Sequence, residues 1–82
     1  MVARNVNVGR GEIDIVAMDR GERVVVEVRT ITGDGEPLDA FGPAKAAQVA
    51  TLARQIGARR VDLMAIHLGT DAAEIRWVKG AA

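Results

Sequence analysis

The chain has 82 residues, no cysteine, a formal net charge of zero and an apolar fraction of 49%. These values fit a single small domain over residues 1–82. They exclude a disulfide framework, a thiolate zinc centre and a strongly basic nucleic-acid-coating surface. With no apolar run near the roughly 20 residues of a membrane span, and no signal-peptide core, a soluble cytoplasmic protein is expected.

Phe41 and Trp77 are the only aromatic residues, so valine, isoleucine, leucine and alanine must build the core. Positive charge is carried mostly by arginine, with Lys45 and Lys79 the only lysines. Arginine favours bidentate contact with carboxylate or phosphate, so overall neutrality is compatible with a local phosphate-binding face.

Residues 2–8 alternate weakly and read as an irregular first strand. Residues 12–18 and 23–30 read as a hairpin reversing at Arg20-Gly21, and Val24-Val25-Val26 suits a central strand covered on both faces. Gly33-Asp34-Gly35-Glu36-Pro37 carries turn chemistry. A helix is expected from Pro43 to Ile56, with Pro43 at its first position, Gly57 at its end and Val49, Leu52, Ala53 and Ile56 as its apolar stripe. Residues 60–68 and 74–79 read as two more strands about a turn at Gly69-Thr70-Asp71. The helix is long enough to carry a crossover, so the strand after it can pair in parallel with the hairpin. The expected class is α/β, a small mixed sheet with one crossover helix.

A hairpin centred on Arg20-Gly21 sets Asp14 opposite Glu27 and Glu12 opposite Arg29, with all four side chains on one face. Directly opposed Cβ atoms lie about 4.5–5.5 Å apart, where like charges repel. A divalent metal gives that arrangement a purpose. Mg²⁺ and Mn²⁺ prefer oxygen ligands, which Asp14, Glu27 and the backbone carbonyl of Val28 can supply. Glu12 can ligate directly or through water, and Arg29 projects beside them as a cation. The plain alternative is a Glu12–Arg29 surface ion pair and two solvated acids.

Asp14, a hairpin turn and Glu27-Val28-Arg29 together are similar to the Asp…(Asp/Glu)-x-Lys signature of the restriction-endonuclease-like superfamily. Asn5, the run Gly11-Glu12-Ile13-Asp14-Ile15-Val16-Ala17, then Val25-Val26-Glu27-Val28-Arg29, resemble the YraN-like family of bacterial proteins. Gly33, Gly35, Lys45 and Arg60-Val61-Asp62 fit the same template, and the resemblance runs from about Asn5 to Trp77. It implies an αβββαβ-type core, Mg²⁺ or Mn²⁺ as cofactor, nucleic acid (DNA ahead of RNA) as partner, and phosphodiester hydrolysis. Asp14, Glu27, Arg29 and Glu12 are then the catalytic candidates, and Asp14, Glu27 and Val28 the metal ligands. From the residues themselves, Lys45 is either a nucleic-acid or active-site contact or, as the plainer alternative, a solvated surface lysine, and Arg10 is a candidate nucleic-acid contact within the arginines around the hairpin.

Two departures bear on activity. The signature lysine is Arg29 here, and an arginine cannot deprotonate to act as a base. The family pattern also opens with an amphipathic helix for which the residues ahead of Asn5 are too few. An uncovered sheet face follows from that, and with it a homodimer or higher oligomer. The rival to a nuclease is a catalytically inactive module of the same fold that binds nucleic acid or protein and self-assembles. Elsewhere, Asp62 is expected to pair with Arg59 or Arg60, His67 to serve packing or the surface, and Trp77 to pack against the sheet or helix rather than stack on a base. Arg4, Arg10, Arg20 and Arg23 form either a phosphate-facing patch or solvated edge charges.

Overall fold

Alternating apolar runs, a two-residue reversal and one apolar-striped helix produce five strands and one helix in the computed structural model, which describes residues 3–32 and 41–82. The elements are β1 (Ala3–Val8), β2 (Gly11–Asp19), β3 (Glu22–Thr32), α1 (Pro43–Gln55), β4 (Arg60–Leu68) and β5 (Ala73–Val78). They form one sheet in the order β1-β2-β3-β4-β5. Every neighbouring pair is antiparallel except β3 and β4, which run parallel because α1 crosses between them. This is the expected small mixed α/β fold. The Gly33-Asp34-Gly35-Glu36-Pro37 turn lies outside the described residues.

The hairpin reverses where expected. Arg20 and Gly21 have φ of 53° and 81°, the pair of left-handed residues that matches the twist of a two-residue hairpin. From Asp19↔Glu22 to Ile15↔Val26 the register is the one that this reversal dictates.

Helix α1 begins with Pro43 in its first turn and ends in a paired turn. Gly57 takes φ 72° and donates to the Arg54 carbonyl at 3.1 Å, while Ala58 donates to the Ala53 carbonyl at 2.9 Å. The Arg23 guanidinium donates to the Ile56 carbonyl, placing a cation at the negative end of the helix dipole. Val49, Leu52 and Ala53 are buried on Ile13, Val16, Val25, Val61, Leu63 and Phe41. That contact forms the core on one side of the sheet. No helix among the described residues is long and apolar enough to cross a membrane.

The opposite sheet face is buried at its centre and open toward β5. Val24 and Val26 are almost fully buried there. On that same face apolar exposure is concentrated at Ile75 and Trp77 of β5, and elsewhere Met18 and Leu68 are also exposed.

Candidate active site

One break in strand alternation creates the site. Ile13 and Val16 both lie in the helix-side core, although their spacing in a regular strand sends them to opposite faces. The β1–β2 ladder shows the same break, passing from Arg4↔Ile15 to Val6↔Ile13 without a pair between Asn5 and Asp14. Asn5 has φ 54° in the left-handed region, where asparagine is better tolerated than most residues. The two strands therefore kink together, with Asp14 at the bend.

Past Ile15↔Val26 no β2–β3 pair continues the ladder, while β3 stays paired to β4 as far as Thr32↔Leu68. The hairpin forks there. In the fork, Asp14 Oδ2 accepts a hydrogen bond from the Val28 backbone N–H at 3.0 Å, in place of a strand carbonyl. The Val28 N–H points toward β2, and a residue's carbonyl points to the same side of an extended strand as its N–H. The Val28 carbonyl is therefore turned toward the fork.

Glu27, one residue earlier, points to the helix side and is 1% exposed. Its Oε1 has no hydrogen-bond partner, and its Oε2 lies 3.4 Å from the Arg29 guanidinium. Burial, and then the negative charge of Asp14, push the Glu27 pKa above the ordinary carboxylate range. The charges of Lys45 and Arg29 and the Asp14 backbone N–H oppose that shift. Asp14, Glu27, Arg29 and Lys45 thus act on one another, with Lys45 contributing from the first turn of α1.

Glu12 does not join them, which corrects the expectation of four residues on one face. It pairs with Asn7 of β1 and is exposed, next to Ile13, whose side chain enters the helix-side core. Alternation therefore turns Glu12 to the opposite face. The expected Glu12–Arg29 pair gives way to Glu27–Arg29. The physical cause is the kink at Asn5 and Asp14, which changes the phase of β2 within the ladder. Arg10 is exposed in the turn between β1 and β2.

A second polar cluster occupies the other sheet face. Asp62, fully buried, accepts from Arg60 Nε at 2.8 Å and Nη2 at 3.1 Å, from Trp77 Nε1 at 2.9 Å and from the Gly80 N–H at 3.0 Å. Arg60 Nη2 also reaches Asp19 Oδ2 at 3.0 Å. Burial pushes the Asp62 pKa up, but the hydrogen bonds from Arg60, Gly80 and Trp77 outweigh it and hold the carboxyl below its usual range. This cluster is saturated and structural. It answers the Asp62–Arg60 and Trp77 expectations, while Asp19 and Gly80 were missed. An aspartate inside an otherwise apolar strand was the available signal, because a buried acid must find donors.

Among the described residues no group of three or more His, Cys, Asp or Glu is arranged to hold a metal ion. Two carboxylates are nevertheless enough for Mg²⁺, which usually keeps several waters and takes one or two protein carboxylates plus substrate phosphate. The unpartnered, buried Glu27 Oε1 beside Asp14 is an oxygen donor of the right hardness. The residues present fit such an ion.

Fold and site define a small mixed α/β protein with a paired-carboxylate cluster in a forked hairpin. Within that class, the model of a family described as "Uncharacterised protein family UPF0102" matches residues 1–66, and the chain belongs to that family. It is 35% identical to a UPF0102 protein of Bordetella avium over 99% of this chain and 60% of the relative. It is also 35% identical to one from Acidothermus cellulolyticus over 99% of this chain and 77% of the relative. A UPF0102 protein of Symbiobacterium thermophilum is 38% identical over 87% of this chain and 69% of the relative. The chain thus spans 60% of the Bordetella protein's length. The family is the YraN-like one that the Gly-Glu-Ile-Asp run resembles.

Proposed function

We propose that this protein is a metal-dependent nuclease of the restriction-endonuclease-like type, acting on phosphodiester bonds of nucleic acid, with DNA ahead of RNA. The observation that carries the reading is Glu27 Oε1, a carboxylate oxygen buried without a donor beside a second carboxylate. A native fold rarely leaves such an atom unpaired unless a ligand, water or ion serves it. The order of the strands, the parallel crossover through α1 and the fork at Asp14 support a core of this type.

Asp14, Glu27 and the Val28 carbonyl would hold Mg²⁺ or Mn²⁺, and the ion would polarise the phosphate and acidify a bound water. Asp14 is held in position by the Val28 N–H, so its orientation depends on the forked ladder. Arg29 pairs with Glu27 and remains about one-third exposed, so it can turn to a phosphate oxygen, where its planar fork binds well. Lys45 sits in the first turn of α1, at the end of the helix dipole that disfavours a cation. Its pull on Glu27 offsets that position, and Lys45 would supply a second positive charge to a substrate phosphate.

The test is cleavage of single-stranded, double-stranded and branched DNA with Mg²⁺ or Mn²⁺, alongside Asp14→Ala and Glu27→Gln. Cleavage by the parent and loss in both variants are expected. Absence of cleavage, combined with metal affinity that neither substitution alters, removes the nuclease reading.

The second reading, a module without catalysis, is favoured by one contact, the Arg29 guanidinium against Glu27 Oε2. A permanently paired glutamate is a poor ligand. Arg29→Lys separates the two: gained or increased cleavage supports an otherwise complete site, and continued inactivity with retained nucleic-acid binding supports the module.

A further inference from the structure

We infer that the outer edge of β5 pairs antiparallel with the β5 edge of a second copy, about a two-fold axis at Ile75, joining two five-stranded sheets into one. This goes beyond the nuclease reading and is independent of it. Among the described residues β5 is the last strand of the sheet, and no other strand pairs with its outer side. Helix α1 packs chiefly against β4 and β2. An exposed edge of this length, without proline or a bulge in its ladder, is a template for another strand.

The phase of the main chain selects the register. The Val61 carbonyl accepts from the Ala81 N–H at 2.8 Å, so Val61 turns its main-chain groups toward the β5 side. Alternation along β4 sends those of Leu63, Ala65 and His67 the same way. Their partners Val78, Arg76 and Glu74 therefore turn inward to β4. Ala73, Ile75 and Trp77 are left with main-chain N–H and C=O groups pointing outward. A two-fold at Ile75 pairs Ile75 with its copy and Ala73 with Trp77 in both directions. Each such pair exchanges two bonds, about six in all.

The side chains fit the same register on both faces. Glu74 falls opposite Arg76 of the second copy, and Arg76 opposite Glu74. These are non-hydrogen-bonded pairs, where side chains approach most closely. Within one chain the two residues make only an exposed contact of 3.5 Å. On the other face Ile75 meets Ile75, and each Trp77 lies over the small Ala73. Ile75 and Trp77 are 65% and 52% exposed in the single chain, and this pairing removes apolar surface from both. Shifting the register by one residue puts Ala73 against Arg76 and leaves the outward main-chain groups out of phase.

Sedimentation velocity on the whole chain tests this, together with the emission of Trp77, the only tryptophan. The expected result is a dimer at micromolar concentration that dissociates on dilution as the Trp77 emission shifts to the red. Ile75→Pro removes an outward N–H and leaves the β4 ladder intact, so it should give a monomer with unchanged circular dichroism. Arg76→Glu sets like charges opposite each other at two equivalent pairs and should weaken association about tenfold. Glu74→Arg with Arg76→Glu restores opposite charges and should recover the parental affinity. If Ile75→Pro does not fold, the two charge variants still decide the matter. A parent that stays monomeric at high micromolar concentration overturns the proposal. So does a dimer that persists with Ile75→Pro, or a charge swap that restores nothing.

Discussion

The Asp14 carboxylate accepts the Val28 N–H at 3.0 Å, so an acid side chain stands where a strand carbonyl would close the β2–β3 ladder. One hydrogen bond thus fixes the Asp14 carboxylate in the fork, where its charge acts on Glu27. Asp14→Ala leaves the Val28 N–H unpaired and should cost about 1–3 kcal/mol, whereas Asp14→Asn keeps an acceptor and should cost less. Urea unfolding measures both. Calorimetric titration with Mn²⁺ should show weakened binding in each, and equal stability of Asp14→Ala and the parent would refute the structural role.

Glu27 makes the site expensive to keep folded. Its folded pKa is raised by burial and by Asp14, so the native state holds a proton that the unfolded chain has already released. Stability therefore falls as pH rises from the ordinary carboxylate range through the raised folded value, and is level above it. Glu27→Gln should abolish that slope and raise Tm at neutral pH by several degrees, at about 4–8 °C per kcal/mol for a domain of this size. Saturating Mn²⁺ should stabilise the parent and leave Glu27→Gln nearly unchanged. Thermal melts across pH, with and without Mn²⁺ and a chelator, read all of these.

Asp62 behaves in the opposite sense. Its folded pKa is depressed by its donors despite burial, so its contribution is present above the ordinary carboxylate range and lost as pH falls through the lower folded value. Asp62→Ala strips the acceptor from Arg60, Trp77 and Gly80 and should cost about 3–5 kcal/mol. That is a large share of the roughly 5–15 kcal/mol that holds a typical domain together. Acid unfolding should shift to higher pH in Asp62→Asn, and an unchanged midpoint would contradict the assignment.

Asn5 sets the phase of β1 from a left-handed conformation. Asn5→Gly should be tolerated, and Asn5→Val should lose about 1–2 kcal/mol because a branched side chain clashes there. Because Asn5 faces the bend at Asp14, Asn5→Val should also weaken Mn²⁺ binding although it touches no ligand. Unaltered Mn²⁺ affinity in a folded Asn5→Val would break that link.

Local chemistry made much of this legible. Arg20-Gly21 between two apolar runs marks a two-residue hairpin, and Pro43 and Gly57 bracket the helix, because each of those positions needs a particular backbone conformation. Asp14 and Glu27 stood out as acids in strands that otherwise alternate or run apolar. Glu12 was misplaced because strict alternation was carried through a kink, and that kink depends on the conformation of Asn5 in a different strand. The Asp19–Arg60–Asp62–Trp77–Gly80 cluster joins segments far apart in the chain, and only the sheet order brings them together.

By itself the sequence determined the element types, the hairpin register near its turn and the pair of acids, since turn geometry and strand period act over a few residues. Only the tertiary structure decided which acids meet, which face each side chain takes past the bend, and which edge remains open. Those outcomes depend on how β1, β2 and β3 pair and part, and on where α1 covers the sheet. Non-local pairing sets them, and local propensity carries no record of it.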